Sequence, residues 1–215
     1  LGDLAGAIEA YRNASPQVED AREALAWLTD ARLELTESVT AGVAGAASFP
    51  MRYRNVPEVS LRAYPVDLQV LFAVRRTLEG LNRIDLSGIT PAHQWTVKPA
   101  GGADHAWHEA SMELPIGKDA AGVYLVVAKA GDLEASTVVL KTDLTVALQR
   151  VGEKVRVHVL DPSGKGVRGA FVTVSDGRAI KARGVTDGRG VLEAPGIGAT
   201  PFVVVSHGDR YAIAR

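Results

Sequence analysis

The sequence predicts a mainly β chain: two immunoglobulin-like β-sandwiches in series, with an N-terminal helical hairpin and one helix inserted in the first sandwich. Three observations carry this. From Phe49 onward, short apolar runs alternate with Gly-, Asp- and Pro-containing turns roughly every 8–12 residues, the rhythm of packed antiparallel sheets. Before that point the apolar residues recur at three- and four-residue intervals, the helical period. Residues 66–82 (VDLQVLFAVRRTLEGLN) return to that period between two strand candidates.

The N-terminal region, 1–47, reads as a helical hairpin and linker. Leu4, Ile8 and Tyr11 mark a first helix. Ser15 and Pro16 fit the cap and first position of a second, which carries Val18, Ala21, Leu25 and Leu28, then Leu33 and Leu35. Trp27 lies on this hairpin and is expected to anchor its packing. The Ala/Gly/Ser-rich stretch 41–48 is the linker.

The first sandwich is expected over 48–141. Met51–Val56 and Val59–Tyr64 are strand candidates separated by Pro57. The inserted helix, 66–82, places Leu68, Leu71, Phe72, Leu78 and Leu81 on one face and Arg75, Arg76 and Glu79 on the solvated side. Strands resume at His93–Lys98 and Ala106–Leu114. Gly122–Ala128 and Glu134–Leu140, joined around Gly131-Asp132, form a hairpin.

The second sandwich is expected over 142–215. Leu144, Val146 and Leu148 alternate with polar residues, as do Val155, Val157 and Val159 with Arg156 and His158. Turns at Asp161–Gly166 and Asp187–Gly190 follow, with strands at Ala170–Val174, Gly184–Thr186, Val191–Ala194 and Phe202–Ser206. Gly164, Gly166, Gly188 and Gly190 are assigned to positive-φ turn positions, and Ala170 to close strand packing.

Composition excludes several function classes. Hydrophobic residues make up 47% of the chain and charged residues 23%, enough for packed cores. A formal net charge of −1 gives no general attraction to nucleic acid or to an acidic membrane. There is no cysteine, hence no disulfide, thiol nucleophile or thiolate metal site. No apolar run reaches membrane-spanning length. The chain opens on Leu1 rather than Met, as expected for an internal segment or a processed product whose signal peptide lies outside it.

No catalytic, cofactor-binding or metal residue is assigned. Asp104, His105, His108 and Glu109 gather four potential ligands, but His105 and His108 have neither the i,i+4 spacing of a helix nor the i,i+2 spacing of a strand face. They read as a loop entering a strand. No G-x-S-x-G elbow accompanies the five histidines. His158 is assigned to a solvated strand face and His207 to a turn. The glycines of 184–190 lie between strands, without a phosphate-binding lysine. Trp95 and Trp107 are expected in the core or at an inter-domain seam.

Several of these segments carry a resemblance. Tyr53-Arg54-Asn55-Val56, followed by Val59–Asp67 (VSLRAYPVD) and Leu68, resembles the RNV and LRxYxVDL strands of bacterial alpha-2-macroglobulin family proteins. Gly122-Val-Tyr-Leu-Val126 resembles their GxYLV strand, and Lys141–Leu144 their junction into the next domain. Asp161–Ala170 and Thr186–Val191 resemble two hairpins of the same family, with Val167 directly after Gly166 where a proline is frequent. His207–Ala212 resembles the closing strand. The likeness spans about 49–215; residues 1–47 resemble helical repeats preceding such domains, and 7–12 (AIEAYR) a tetratricopeptide helix.

The resemblance implies N-terminal macroglobulin-like domains in an extracytoplasmic protein, periplasmic, envelope-associated or secreted, whose role is endopeptidase inhibition by trapping. The trap members' Cys–Gln thioester and bait region would lie outside this chain. Implied partners are neighbouring domains of the same chain, target proteases or envelope proteins, with no cofactor. The alternative expectation is an adhesion or scaffold module of β-sandwich repeats in a bacterial envelope protein.

Overall fold

The computed structural model describes residues 3–75, 86, 88–102, 104–117, 120–195 and 201–215. Two helices open the chain, α1 (Leu4–Ala14) and α2 (Glu19–Thr29). Asp3 caps α1 by accepting the Gly6 amide at 2.8 Å. Ser15 does not cap α2. It closes α1: its amide bonds Tyr11 O at 2.8 Å and its hydroxyl donates to Arg12 O at 3.0 Å. The turn continues through Pro16 as the Gln17 and Val18 amides return to Ala14 O, so extended Val18 becomes the boundary residue of α2.

The remainder of 1–47 departs from the helix-and-linker expectation. Leu33 and Leu35 lie on β1 (Arg32–Leu35), and β2 (Ser38–Ala41) follows. The four-residue run RLEL alternates, with both leucines packed on the core and Arg32 and Glu34 outside, so its period is two. β1 pairs antiparallel with β3 (Ser48–Arg54), and β2 pairs parallel with β8 (Leu133–Lys141). Two strands of the first sandwich therefore come from the region read as helix and linker.

The first sandwich packs a three-stranded sheet, β1-β3-β6, against a five-stranded one, β2-β8-β7-β4-β5. Here β4 is Val59–Pro65, β5 His93–Val97, β6 His108–Glu113 and β7 Gly122–Ala130. Phe49, Met51 and Tyr53 of β3 meet Leu61 and Ala63 of β4, Val126 and Ala128 of β7 and Val139 of β8 in the core. Trp95 packs on its edge.

The second sandwich packs β13-β10-β9 against β12-β11-β14-β15. The strands are β9 (Thr145–Val151), β10 (Lys154–Leu160), β11 (Phe171–Ser175), β12 (Ile180–Val185), β13 (Val191–Pro195), β14 (Phe202–His207) and β15 (Arg210–Ala214). Val155, Val157 and Val159 face Val172, Val174, Val203 and Val205. His158 lies off this core, yet it is half-buried, with Nε2 shut off from solvent and without a hydrogen-bond partner.

The two turn motifs of this sandwich are one packed unit. Asp161 Oδ1 accepts the Ser163 and Lys165 amides at 2.9 and 3.0 Å; Asp187 Oδ1 accepts those of Arg189 and Val191 at 2.8 and 3.0 Å. Thr186 ties the turns together: its hydroxyl donates to Val167 O at 2.6 Å and accepts the Ala170 amide at 2.9 Å. Gly166 does not adopt positive φ. It is required by proximity, because a Cβ there would lie 2.0 Å from Arg189 O. Gly190 satisfies both demands, with φ +76° and a would-be Cβ 2.6 Å from Gly166 Cα. Gly188 is likewise outside the positive-φ positions.

Helix α3 (Leu68–Arg75) stands where the inserted helix is expected; Leu78, Leu81, Arg76 and Glu79 fall outside the described residues. Asp67 Oδ1 accepts the Gln69 and Val70 amides at 2.8 and 3.2 Å and starts it. Leu68 and Phe72 are fully buried, and what they bury against is a third core, between the sandwiches. On one side are Tyr64, Val123, Leu125, Val127, Val138 and Leu140, the outer face of the five-stranded sheet. On the other are Phe202, Val204, Tyr211 and Ile213, the outer face of β14 and β15. Strands β7 and β8 of the five-stranded sheet are thus buried on both faces, and the near-continuous run Val123–Ala128 is what a doubly covered strand requires. Lys141, at its end, is buried, and its ammonium donates to Gly117 O at 2.7 Å.

Candidate interaction surfaces

The cluster 104–109 is held by its own members. β6 begins at His108, so Asp104–Trp107 form the entering loop. His108 Nε2 lies 2.8 Å from both carboxylate oxygens of Asp104, and its ring stacks on Tyr53 at 5.6 Å. That hydrogen bond, with the Ala106 amide next, holds the Asp104 carboxyl below its ordinary range. Tyr53 Oη donates to Ala100 O at 2.7 Å, fastening the same loop from inside. His105 has φ +63° and a buried Nδ1 without a partner, while Glu109 stands opposite Arg52 in the sheet register. The four potential ligands do not converge; among the described residues no group of three or more His, Asp or Glu side chains is arranged to hold a metal.

Arg54 and Asn55 do something the strand reading did not anticipate: they close the C-terminus of α2. Helix ends leave carbonyls without intrahelical donors. Asn55, at φ +54°, donates Nδ2 to Leu28 O, Thr29 O and Asp30 O at 3.2, 2.8 and 3.2 Å. Arg54 donates to Trp27 O and, from Nε at 3.4 Å, to Asp30 O. A guanidinium at that position also opposes the negative end of the helix dipole. Arg54 is only 2% exposed, because α2 and Trp107 cover it.

The same arginine belongs to an alternating row of cations and rings on the outer face of the three-stranded sheet. Arg52 lies over Trp107 at 4.2 Å, Arg54 over Trp107 at 5.3 Å and over Trp27 at 5.0 Å, within cation–π range. Trp107 is half-buried in this row. Trp27 is not the buried anchor expected from its place on the hairpin: it is 61% exposed. Its position on α2 is set by helical period, with Ala21 and not Trp27 on the buried side. Beyond Arg52 the surface dips into a hollow of about 200 Å³ lined by Glu34, Leu35, Thr36, Pro50, Arg52 and Glu109.

At the joint, Gln69 is the residue that periodicity does not single out. Its Nε2 lies 3.3 Å from each of Phe171 O, Val204 O and Ser206 Oγ, and its Oε1 accepts the Thr173 hydroxyl at 2.9 Å. Phe72 stacks on Phe202 at 5.0 Å, and Arg215 lies over Phe202 at 4.8 Å while pairing with Glu37 at 2.6 Å. Burial, then the Asp67 and Asp209 carboxylates, push the Tyr211 hydroxyl above its ordinary pKa. Next to the joint, an open cleft of about 820 Å³ is lined by Val43, Ala120, Ala121, Asp143 and the β14–β15 turn, His207–Arg210. Arg210 pairs with both Asp143 oxygens at 3.2 Å, so these two charges of the cleft satisfy each other, while Asp209 also lines it.

The fold has known counterparts, although no protein-family model matches the chain. The structure of native Escherichia coli alpha-2-macroglobulin spanning domains NIE-MG1 superposes with TM-score 0.63 over 86% of this chain and 97% of that one, at 15% identity. A longer E. coli structure, spanning MG0-NIE-MG1, gives TM-score 0.64 at 16% identity over 86% of this chain and 63% of that one. Salmonella alpha-2-macroglobulin reacted with methylamine gives 0.60 at 15% identity, and there this chain spans 12% of the other's length. The resemblance drawn from the strand and hairpin motifs is therefore met at the level of fold. Among the described residues no helix is long and apolar enough to cross a membrane.

Proposed function

We propose that this chain is a non-catalytic structural and binding segment of an extracytoplasmic alpha-2-macroglobulin-like protein, whose role as a whole is endopeptidase inhibition by trapping. The observation that carries the reading is the third core. Two sandwiches joined by an apolar seam, with α3 as the wedge, form a stiff strut suited to holding distant parts of a large molecule in register. The fold likeness to the NIE-MG1 segment supports the same assignment. In this reading 1–47 is the lead-in, 48–141 the first macroglobulin-like domain and 142–215 the second, with β1 and β2 completing the first domain from the lead-in. Its immediate partners are neighbouring domains of the same chain. The test is to incubate the full-length protein with a broad-specificity endopeptidase. Cleavage at one exposed segment outside 1–215, with a mobility shift and loss of protease activity on large substrates, is expected. Cleavage scattered over many sites, with the protease still active on large substrates, refutes the trapping role.

A further inference from the structure

The row Arg52–Trp107–Arg54–Trp27 alternates cation and ring along one face and ends on an aromatic surface open to solvent. Trp27 is 61% exposed, and Arg54, whose hydrogen bonds to Trp27 O and Asp30 O anchor its guanidinium, lies over one side of the ring. An indole already stacked on a guanidinium has less conformational freedom to lose when something docks on it. The remaining surface of such a ring is electron-rich and favours a further cation.

The helix around Trp27 fits the same ligand. Asp20, Glu23 and Trp27 fall at i, i+3 and i+7 of α2, on one stripe, and all three are exposed. Neither Asp20 nor Glu23 makes an ion pair among the described residues, whereas Glu19 pairs with Arg22 and Asp30 with Arg32. Two unpaired carboxylates, about one and two turns before an open indole on the same stripe, repel an anionic lipid surface or a nucleic acid and attract a basic side chain.

We infer that the exposed stripe of α2 that runs from Asp20 through Glu23 to Trp27 docks an arginine- or lysine-bearing segment of another protein. A basic side chain continues the alternation by stacking on Trp27, and neighbouring basic residues meet the two carboxylates.

The test titrates a fluorescent ten-residue Arg-Gly repeat peptide into the full-length protein at low salt and follows anisotropy, with a Glu-Gly repeat as the comparison. Saturable binding of the basic peptide alone is expected, weakening as salt rises. Trp27→Ala weakens it roughly 2- to 10-fold, Glu23→Lys abolishes it, and Glu153→Gln, on a distant turn, leaves it unchanged. Because Trp27→Ala could loosen α2, Trp27→Phe and Glu23→Gln are measured beside it; both keep the helix, and each weakens binding by a smaller factor. Absence of binding, equal binding of the acidic peptide, or the same affinity in Trp27→Ala and Glu23→Lys as in the parent protein overturns the inference.

Discussion

Replacing Phe72 by alanine tests the joint most directly. Phe72 is completely buried and stacks on Phe202 across the seam, at 5.0 Å and 27° between planes. A phenyl side chain of this kind buries roughly 150–250 Å². At about 25 cal/mol per Å² that corresponds to about 4–6 kcal/mol of transfer free energy as an upper bound. Phe-to-Ala truncations in cores cost about 3–5 kcal/mol. The stacking component is read separately by the Phe72/Phe202 double-mutant cycle, with an expected coupling of about 0.5–1.5 kcal/mol. Because the loss falls on the seam and not inside either sandwich, Phe72→Ala is expected to separate one urea transition into two. Tryptophan fluorescence reports the first sandwich, which holds Trp95 and Trp107, and far-ultraviolet dichroism reports both. A single coincident transition shifted by less than about 1 kcal/mol would falsify the claim that this residue joins two otherwise independent cores.

Two further predictions concern turn chemistry. Asn55→Gly keeps the positive φ and loses the bonds to Leu28, Thr29 and Asp30, so α2 should loosen by about 1 kcal/mol. Asn55→Ala adds left-handed strain and should cost about 1–2 kcal/mol more. The order parent, Gly, Ala is checked by hydrogen exchange of the α2 amides. The second prediction follows from carboxylates held below their ordinary range. The Asp187 shift arises first from the Val191 amide, that of Asp176 first from the Ala179 amide, that of Asp161 first from Ser163, and that of Glu193 first from Arg156. Folded values below unfolded ones mean that their contribution is complete above the unfolded carboxylate range and is lost as pH falls through the folded values. The second sandwich should therefore begin to lose stability as pH falls below about 5 and go on losing it through about pH 3 and lower. Asp161→Asn with Asp187→Asn, which retains the accepting oxygens, should flatten that dependence in urea midpoints measured across the interval.

The strands were legible because alternation is a local signal, and Val155, Val157 and Val159 declare their core face without knowledge of the partner sheet. The inserted helix was legible for the same reason. Its destination was not, because Leu68 and Phe72 only state that one face is apolar, and nothing local says that the facing surface lies some 130 residues onward at Phe202 and Val204. The seam did leave a trace: Val123–Ala128 and Phe202–Val205 are continuous apolar runs where a sheet open to water on one face would alternate. Leu33 and Leu35, two leucines two apart next to an amphipathic helix, extend its pattern by default, and only the alternation with Arg32 and Glu34 distinguishes a strand. The capping role of Arg54 and Asn55 is wholly tertiary, since the carbonyls they serve lie about 25 residues upstream.

The joint also shows why an apolar seam needs a polar residue in it. Apolar burial is non-directional, so Tyr64, Leu68, Phe72, Phe202 and Val204 favour contact between the sandwiches without selecting one placement over a small slide. Gln69 supplies the selection. Its amide reaches two carbonyls on adjacent strands, β11 and β14, and two hydroxyls on the same face. A slide of one residue along either strand presents carbonyls facing the other way and leaves a largely covered amide unpaired, at a cost of about 1–3 kcal/mol. Asp67, two residues before, fixes the start of α3 and hence the angle from which Gln69 arrives. The apolar residues thus make the two sandwiches adhere, and Gln69, with the Arg215–Glu37 pair at the rim, sets where, which is the property a strut needs if parts at its two ends are to stay in register.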